Sequence, residues 1–466
     1  MQTDFDFLVI GGGSGGIASA IQAAKLGQKV CLIEHNLIGG TCVNNGCVPK
    51  KIMWLASNVY HNFSNARTYG IKTNTFKLNW KELCATRQNY ISNIHNHYNE
   101  EFEKFGITMI KGTASFIDNN TVKVDDKLYS AKYIIIATGS KPKVPDIPGH
   151  KLGLTSDDFF KLKSQPKDVV IAGSGYIGVE LACTLNHLGS NVTLLLRRES
   201  ILSDFDHETA ALLQENMQKD GICILQNTEI SEIKRLDKKI CVKLKDQTKI
   251  LETHNVIWAI GRKASTKDLA LENAEVKIDE KGFIIIDENQ RTSNRCVYAI
   301  GDVTNRPALT PVAVKAGRHL VQFILGFKNE ALKWNLIPSV VFSHPPFASI
   351  GITEDKAKKE KIAVHVYRKI FRSIPDKLES QNVKSIIKII TCSKTLEIIG
   401  CHILGPGADE VLQGFAVAIG MKATIRDLNE CLAIHPTLAE ELVLLDQSGD
   451  PDDNLGLIKP EEQSDG

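Results

Sequence analysis

The chain has 466 residues, 43% hydrophobic and 24% charged, a globular balance at a length beyond one core, so two to four domains are expected. Its 56 Lys and Arg offset 54 Asp and Glu to a formal charge of +2. Near-neutrality gives no electrostatic reason for nucleic acid or a lipid surface as partner, and no uncharged apolar run is long enough to span a bilayer.

The first residues, Met1–Asp6, are acidic and lead at once into Phe7–Ile10. Without a basic start or a cleavage pattern this does not read as a secretory signal, and a cytoplasmic protein is expected. Residues 5–10 read as a strand buried on both faces. A glycine loop follows (Gly11, Gly13, Ser14, Gly15, Gly16), then a small-residue helix to Leu26, a stop at Gly27 and a second strand ending at Glu34. Gly11, Gly13 and Gly16 give the GxGxxG spacing between strand and helix. There a bare backbone can approach a pyrophosphate at the helix N-terminus, and the Glu34 carboxylate suits ribose hydroxyls.

The pattern repeats after the strand Asp168–Ala172 with Gly173, Gly175, Tyr176, Ile177 and Gly178, a helix to about Leu188 and a strand Asn191–Leu196. Two such units imply two dinucleotide sites. The second strand here ends in Arg197 and Arg198, which suit the 2′-phosphate of NADPH, whereas an acid would suit NADH; a solvated basic turn is the plainer alternative. Three more strands run into tight glycine turns, at Thr138-Gly139, Gly261-Arg262 and Gly301-Asp302, and are expected to return to the sheets beside the cofactors. From about residue 336 the texture becomes β-rich, with Val340-Val341-Phe342 and Ser385–Ile390. The acidic, apolar-poor tail 447–466 is expected to be disordered.

Of eleven cysteines, nine are scattered singly and are expected to be buried reduced thiols; no metal-ligand spacing appears, so no metal is expected. Cys42 and Cys47 differ. They sit in Gly39-Gly40-Thr41-Cys42-Val43-Asn44-Asn45-Gly46-Cys47-Val48-Pro49-Lys50-Lys51. In one regular helix they would lie about 7.5 Å apart along the axis, too splayed for a disulfide, but Asn45-Gly46 offers a bend that could close the gap. Pro49 suits the first turn of a following helix, and Lys50 could help lower a thiol pKa. Two unpaired structural cysteines are the other reading.

The stretches GGTCVNNGCVPKK, ATGS, GSGYIGVELA, AIGR, AIGDV, LTPVA and HPTLAEE occur in an order that resembles the pyridine nucleotide–disulfide oxidoreductases, over nearly the whole chain to about residue 446. The Lys50-Lys51 doublet is similar to the branch that reduces glutathione-type disulfides. The resemblance implies an α/β fold with two Rossmann-like domains, for FAD and NAD(P)H, plus a C-terminal α+β dimerisation domain. It places the FAD domain at 1–155 and 265–335, the nicotinamide domain at 156–264 and the interface domain at 336–446. It implies a redox-active Cys42–Cys47 disulfide, with Cys47 toward the flavin and Cys42 attacking the substrate. Lys50 and Glu180 resemble an ion pair beside the flavin, and Tyr176 a gate for the nicotinamide. His435, oriented by Glu440, resembles a general acid that serves the other subunit of a homodimer. FAD contacts are implied at Thr41, Ala114, Thr138, Gly139, Asp302 and Thr310, in addition to the first glycine loop, Glu34, Cys42 and Lys50. NADPH contacts are implied along the second loop, at Glu180, Arg197 and Arg198, and at Gly261 and Arg262. Ser14, Tyr98 and Arg318 match positions for glutathione disulfide. Ile21 stands where some relatives carry arginine, and Glu101 adds a negative charge nearby, so a modified glutathione is an alternative substrate. Gly178 and Ser203 depart from the NADPH pattern, so NADH is an alternative donor.

Overall fold

A computed structural model describes residues 3–72, 77–378 and 383–445. The tail 447–466, expected to be disordered, lies outside the described residues. The strand Phe5–Ile10 forms where expected, with its last four residues buried. It pairs in parallel with Val30–Glu34 on one side and with the end of Lys127–Ile136 on the other. Thr108–Lys111 and Val297–Ala299 complete the two flanks, and an antiparallel ribbon of Ala114–Phe116 and Thr121–Val124 extends the sheet. Because Phe5–Ile10 has its sequence neighbour on one side only, strand order reverses at its carboxyl end, and a crevice opens there.

Helix α1 (Ser14–Lys25) crosses one face of this sheet. Its small residues let the long helix near residue 317 approach so closely that a Cβ on Gly317 would strike the Gly15 carbonyl oxygen. α2 (Gly40–Asn45), α3 (Cys47–Asn65) and α4 (Trp80–Lys104) follow; Asn79 caps α4 by accepting the Glu82 N–H at 3.3 Å.

The second unit is an all-parallel sheet ordered Cys223–Leu225, Asn191–Leu195, Asp168–Ala172, Asn255–Trp258, Leu154–Thr155. The short α5 (Ser156–Phe159), α6 (Tyr176–His187) and α7 (His207–Lys219) flank it. Leu154–Thr155 pairs with Asn255–Trp258, and Ile147 and Leu152 pack on this unit's core, so the chain enters it before residue 156. Helix α8 (Thr310–Ile324) returns to the first unit. The β-rich texture beyond residue 336 becomes a five-stranded antiparallel sheet, ordered Ser339–Val341, Phe347–Gly351, Ile398–Leu404, Ser385–Cys392, Val364–Phe371.

One apolar core joins α3, α4, the second sheet and the C-terminal sheet through Met53, Trp80, Leu181, Phe347 and Leu404. A buried charge cluster spans the same junction. Lys388 Nζ lies 3.1 Å from Asp206, 2.9 Å from Glu208 and 2.5 Å from Glu354. An ammonium that is 1% exposed is tolerable only because carboxylates surround it. Cys31, Cys183 and Cys401 are buried free thiols as expected, but Cys223 and Cys431 are exposed. An apolar sequence neighbourhood does not decide which face of an edge strand or loop a side chain takes.

Candidate functional site

Cys42 lies on α2 and Cys47 begins α3, and the two helices are broken at Gly46 (φ −149°, ψ −118°). The Asn44 amide pins the turn, donating to the carbonyls of Ile38 (3.0 Å) and Gly40 (2.9 Å), while His95 Nε2 sits 2.8 Å from its oxygen. The break turns the two sulfurs toward each other. Each sulfur acts directly on the other through a side-chain hydrogen bond, the closeness that the expected redox-active pair requires.

The two sulfurs are electrostatically unequal. The Cys42 S–H donated to Cys47 holds the Cys47 thiol down at about 6, against the upward pull of burial; the Thr310 hydroxyl (3.5 Å) and the Lys50 charge also lower it. Cys42 is pushed up by the same hydrogen bond, by burial and by the neighbouring thiolate, with smaller downward contributions from Thr310 and Ser14. Cys47 is therefore the thiolate and Cys42 the proton carrier at neutral pH.

Lys50 Nζ lies 2.8 Å from Glu180 Oε1, both side chains largely buried, so α3 and α6 are tied at their N-terminal ends. Glu180 also accepts the Phe342 N–H at 2.9 Å, and the Phe342 ring lies 3.6 Å from the Lys50 ammonium, a cation–π contact. Nothing in the sequence marks Phe342 as part of this group; strand Ser339–Val341 delivers it from another sheet.

Around these groups is a cavity of about 1430 Å³, lined by Gly11, Gly13, Ser14, Gly15, Glu34, Thr41, Cys42, Cys47, Lys50, Ala114, Thr138, Gly139, Tyr176, Ile177, Glu180, Arg262, Asp302 and Thr310. All the residues implied for FAD line it except Gly16, which sits behind the loop; a Cβ there would collide with the Gly11 carbonyl oxygen. Glu34 Oε2 accepts the Gly12 N–H and Oε1 the Asn36 N–H, each at 2.7 Å, so the carboxylate also shapes the loop. Arg262 Nε donates to Ser140 Oγ (2.8 Å), and Ser140 donates to Asp302 (2.9 Å), which locks the three glycine turns together. Ser140, the last residue of the ATGS stretch and given no role from the sequence, is the hub.

The residues fit FAD by a local test. α1 starts at Gly13 with no side-chain cap and no acid in its first turn, so its N–H groups remain for an anion. A Cβ at Gly13 would meet only Gly40 Cα, at 3.9 Å; it would project into the cradle itself. α6 repeats this: Gly175 provides no side-chain cap, and a Cβ there would meet nothing within 4 Å. That second cradle, with Gly173 and Gly178, lies outside the cavity lining, whereas Tyr176 at its helix start lines the cavity and is 40% exposed. Arg197 and Arg198 are exposed just past the strand Asn191–Leu195. Gly261 stands beside Arg262 at φ +111°.

The implied substrate residues do not all line the cavity. Ser14 hydrogen-bonds to Cys42. Tyr98 is half-buried, stacked on Phe102, and burial followed by the nearby Cys42 holds its phenol above the ordinary range; Arg318 is exposed on α8. Neither lines the cavity. His435 is 81% exposed by side chain, its Nδ1 2.9 Å from Glu440 Oε2, and it too stands away from the cavity lining. Leu432 and Ile434 beside it are 98% and 75% exposed, an apolar segment of the kind that partner chains cover. Among the described residues no helix is long and apolar enough to cross a membrane.

Residues 5–317 match the family profile described as pyridine nucleotide-disulphide oxidoreductase, and residues 337–445 match the dimerisation domain of the same family. A glutathione reductase of Yarrowia lipolytica is 40% identical over 463 residues, covering 95% of this chain and 98% of that protein.

Proposed function

The chain belongs to the pyridine nucleotide-disulphide oxidoreductases, and from that premise we propose that it reduces glutathione disulfide to two glutathiones with electrons from NADPH, in the service of thiol redox homeostasis. The observation that carries this reading is the unequal sulfur pair, Cys47 thiolate against Cys42 thiol, at the wall of a cavity that adjoins both nucleotide loops. The domains are proposed as 1–155 with 265–335 for FAD, 156–264 for the nicotinamide and 336–446 for the interface, the second unit starting a few residues earlier to include Leu154–Thr155.

FAD, held by the first glycine loop, Glu34 and Asp302, supplies when bound the two-electron relay from NADPH to the sulfur pair. The chain's own residues do the rest. Cys42 gives up its proton and attacks one sulfur of glutathione disulfide, forming a mixed disulfide and expelling one glutathione thiolate. The Cys47 thiolate then attacks the Cys42 sulfur, which closes the internal disulfide and releases the second thiolate. One departing thiolate takes up the proton that Cys42 gave up and the other takes a proton from the medium, so that one proton is consumed with each NADPH. Among the described residues the groups acting directly on Cys42 are Cys47, Thr310 and Ser14, none of them a general acid suited to that transfer. His435 fills this role from the partner subunit: Glu440 holds its Nδ1, leaving Nε2 to handle the proton. The active form is therefore a homodimer. Lys50, Glu180 and Tyr176 are proposed to position the nicotinamide and flavin, and Arg197 and Arg198 to select NADPH. A cytoplasmic setting is proposed, supported by the spacing of the nine other cysteines, which are scattered singly through the sequence rather than arranged as a disulfide framework.

The test is NADPH consumption by the purified yellow protein with a panel of low-molecular-weight disulfides. Glutathione disulfide should give the highest kcat/KM; preference for a charge-neutralised glutathione conjugate would shift the assignment to the alternative that Ile21 and Glu101 leave open.

A further inference from the structure

Three helix ends meet on the side of the molecule away from the sulfur pair. α3 carries His61 one turn before its end, α6 ends on His187, and Asp220 is the C-cap of α7. One ligand atom from each lies within 4.8 Å of the other two. His187 is 9% exposed, and its Nε2 lies 2.5 Å from Asp220 Oδ2. Among the described residues no hydrogen-bond partner faces His187 Nδ1, so the ring proton can sit there while Nε2 binds a metal. The Asn186 amide holds Asp220, donating to its Oδ2 at 3.1 Å and to its backbone carbonyl at 2.9 Å. The His61 and His187 rings are stacked with centroids 4.1 Å apart, and His344 stacks on the other face of His187 at 3.9 Å.

Two neutral imidazoles and one carboxylate form the donor set that borderline divalent cations prefer. The backbone favours a cation at the same point, because α6 and α7 both direct their partly negative C-terminal ends there. The cluster also lies well away from the redox sulfurs: from Cys47 to His61 along α3 is about 21 Å.

We propose that His61, His187 and Asp220 form a binding site for a divalent cation of the Zn²⁺ class, which clips the far end of the redox helix α3 to the far end of α6. The ion replaces the shared proton between His187 Nε2 and Asp220. Half-buried His61, whose Nε2 lies 3.0 Å from the Asn65 amide nitrogen, gives up that contact and turns about its side-chain torsions out of the stack to complete a three-residue set, and water fills the remaining position. The near ends of the same two helices carry Cys47 with Lys50 and Tyr176 with Glu180, so the clip fixes the spacing of the elements that build the redox centre.

The experiment is isothermal titration of the oxidised, FAD-loaded homodimer with ZnCl₂. The closed Cys42–Cys47 disulfide removes the dithiol as a competing chelator. Saturable binding of one ion per subunit is expected, with a rise in unfolding temperature, and both should be lost in His61→Ala and in Asp220→Asn while FAD content and turnover persist. Absence of saturable binding to the unaltered enzyme overturns the proposal, as does undiminished binding in both variants.

Discussion

The asymmetry of the sulfur pair can be tested by removing its leading cause. In Cys42→Ala the S–H donor to Cys47 is gone, while burial and Glu180 still push the Cys47 thiol up and Thr310 and Lys50 still pull it down. With the leading downward cause removed, Cys47 should rise from about 6 toward its ordinary value of 9, which is taken as the limit of the change. At pH 7 the thiolate fraction then falls from about nine-tenths to roughly one-hundredth. The more basic sulfur is also the better nucleophile, by a Brønsted slope of about 0.4–0.5, so exchange with a small disulfide at pH 7 slows only roughly three- to sixfold. A rate at one pH would therefore mislead, and the full pH profile of thiolate ultraviolet absorbance is the proper assay. The Lys50→Met change should raise Cys47 by less, because the lysine charge ranks behind both the Cys42 and the Thr310 hydrogen bonds. An apparent pKa still near 6 in Cys42→Ala, or a larger rise in Lys50→Met, would refute the assignment of causes.

Arg197→Ala should lower kcat/KM for NADPH by roughly 10- to 150-fold, the equivalent of charge-assisted hydrogen bonds of about 1.5–3 kcal/mol, and leave NADH unaffected; equal losses for both nucleotides would remove Arg197 from the 2′-phosphate site. Cys42→Ser and His435→Ala homodimers should each be nearly inactive, yet unfolding and refolding them as an equimolar mixture should restore about a quarter of the sites, since each mixed dimer has one intact pair. No recovery would place His435 outside the partner's site. Gly16→Ala should cost about 1–3 kcal/mol of stability in denaturant titration and weaken FAD retention, because the new methyl meets the Gly11 carbonyl oxygen.

Local patterns determined a great deal here. The apolar strands Phe5–Ile10 and Asp168–Ala172 form as read, because a strand buried on both faces has to be apolar throughout. The glycine loops could be recognised because close backbone approach leaves no room for side chains, and Gly27 and Gly189, both at positive φ, end their helices where the sequence placed the stops. The cysteine turn was equally open to reading, since closing a gap of five residues requires a broken helix and Gly46 breaks it. All of these depend on neighbours close in sequence.

Tertiary structure alone decided the rest. Phe342 reaches Glu180 across 162 residues, Ser140 reaches Asp302 across 162, and His61 stacks on His187 from a different helix. The direction of Cys223 and Cys431, and the distance between His435 and the cavity of its own chain, likewise follow from how sheets and loops are placed in space. Hydrophobic periodicity fixes which face of an element is buried, but it carries no information about which distant element will cover that face.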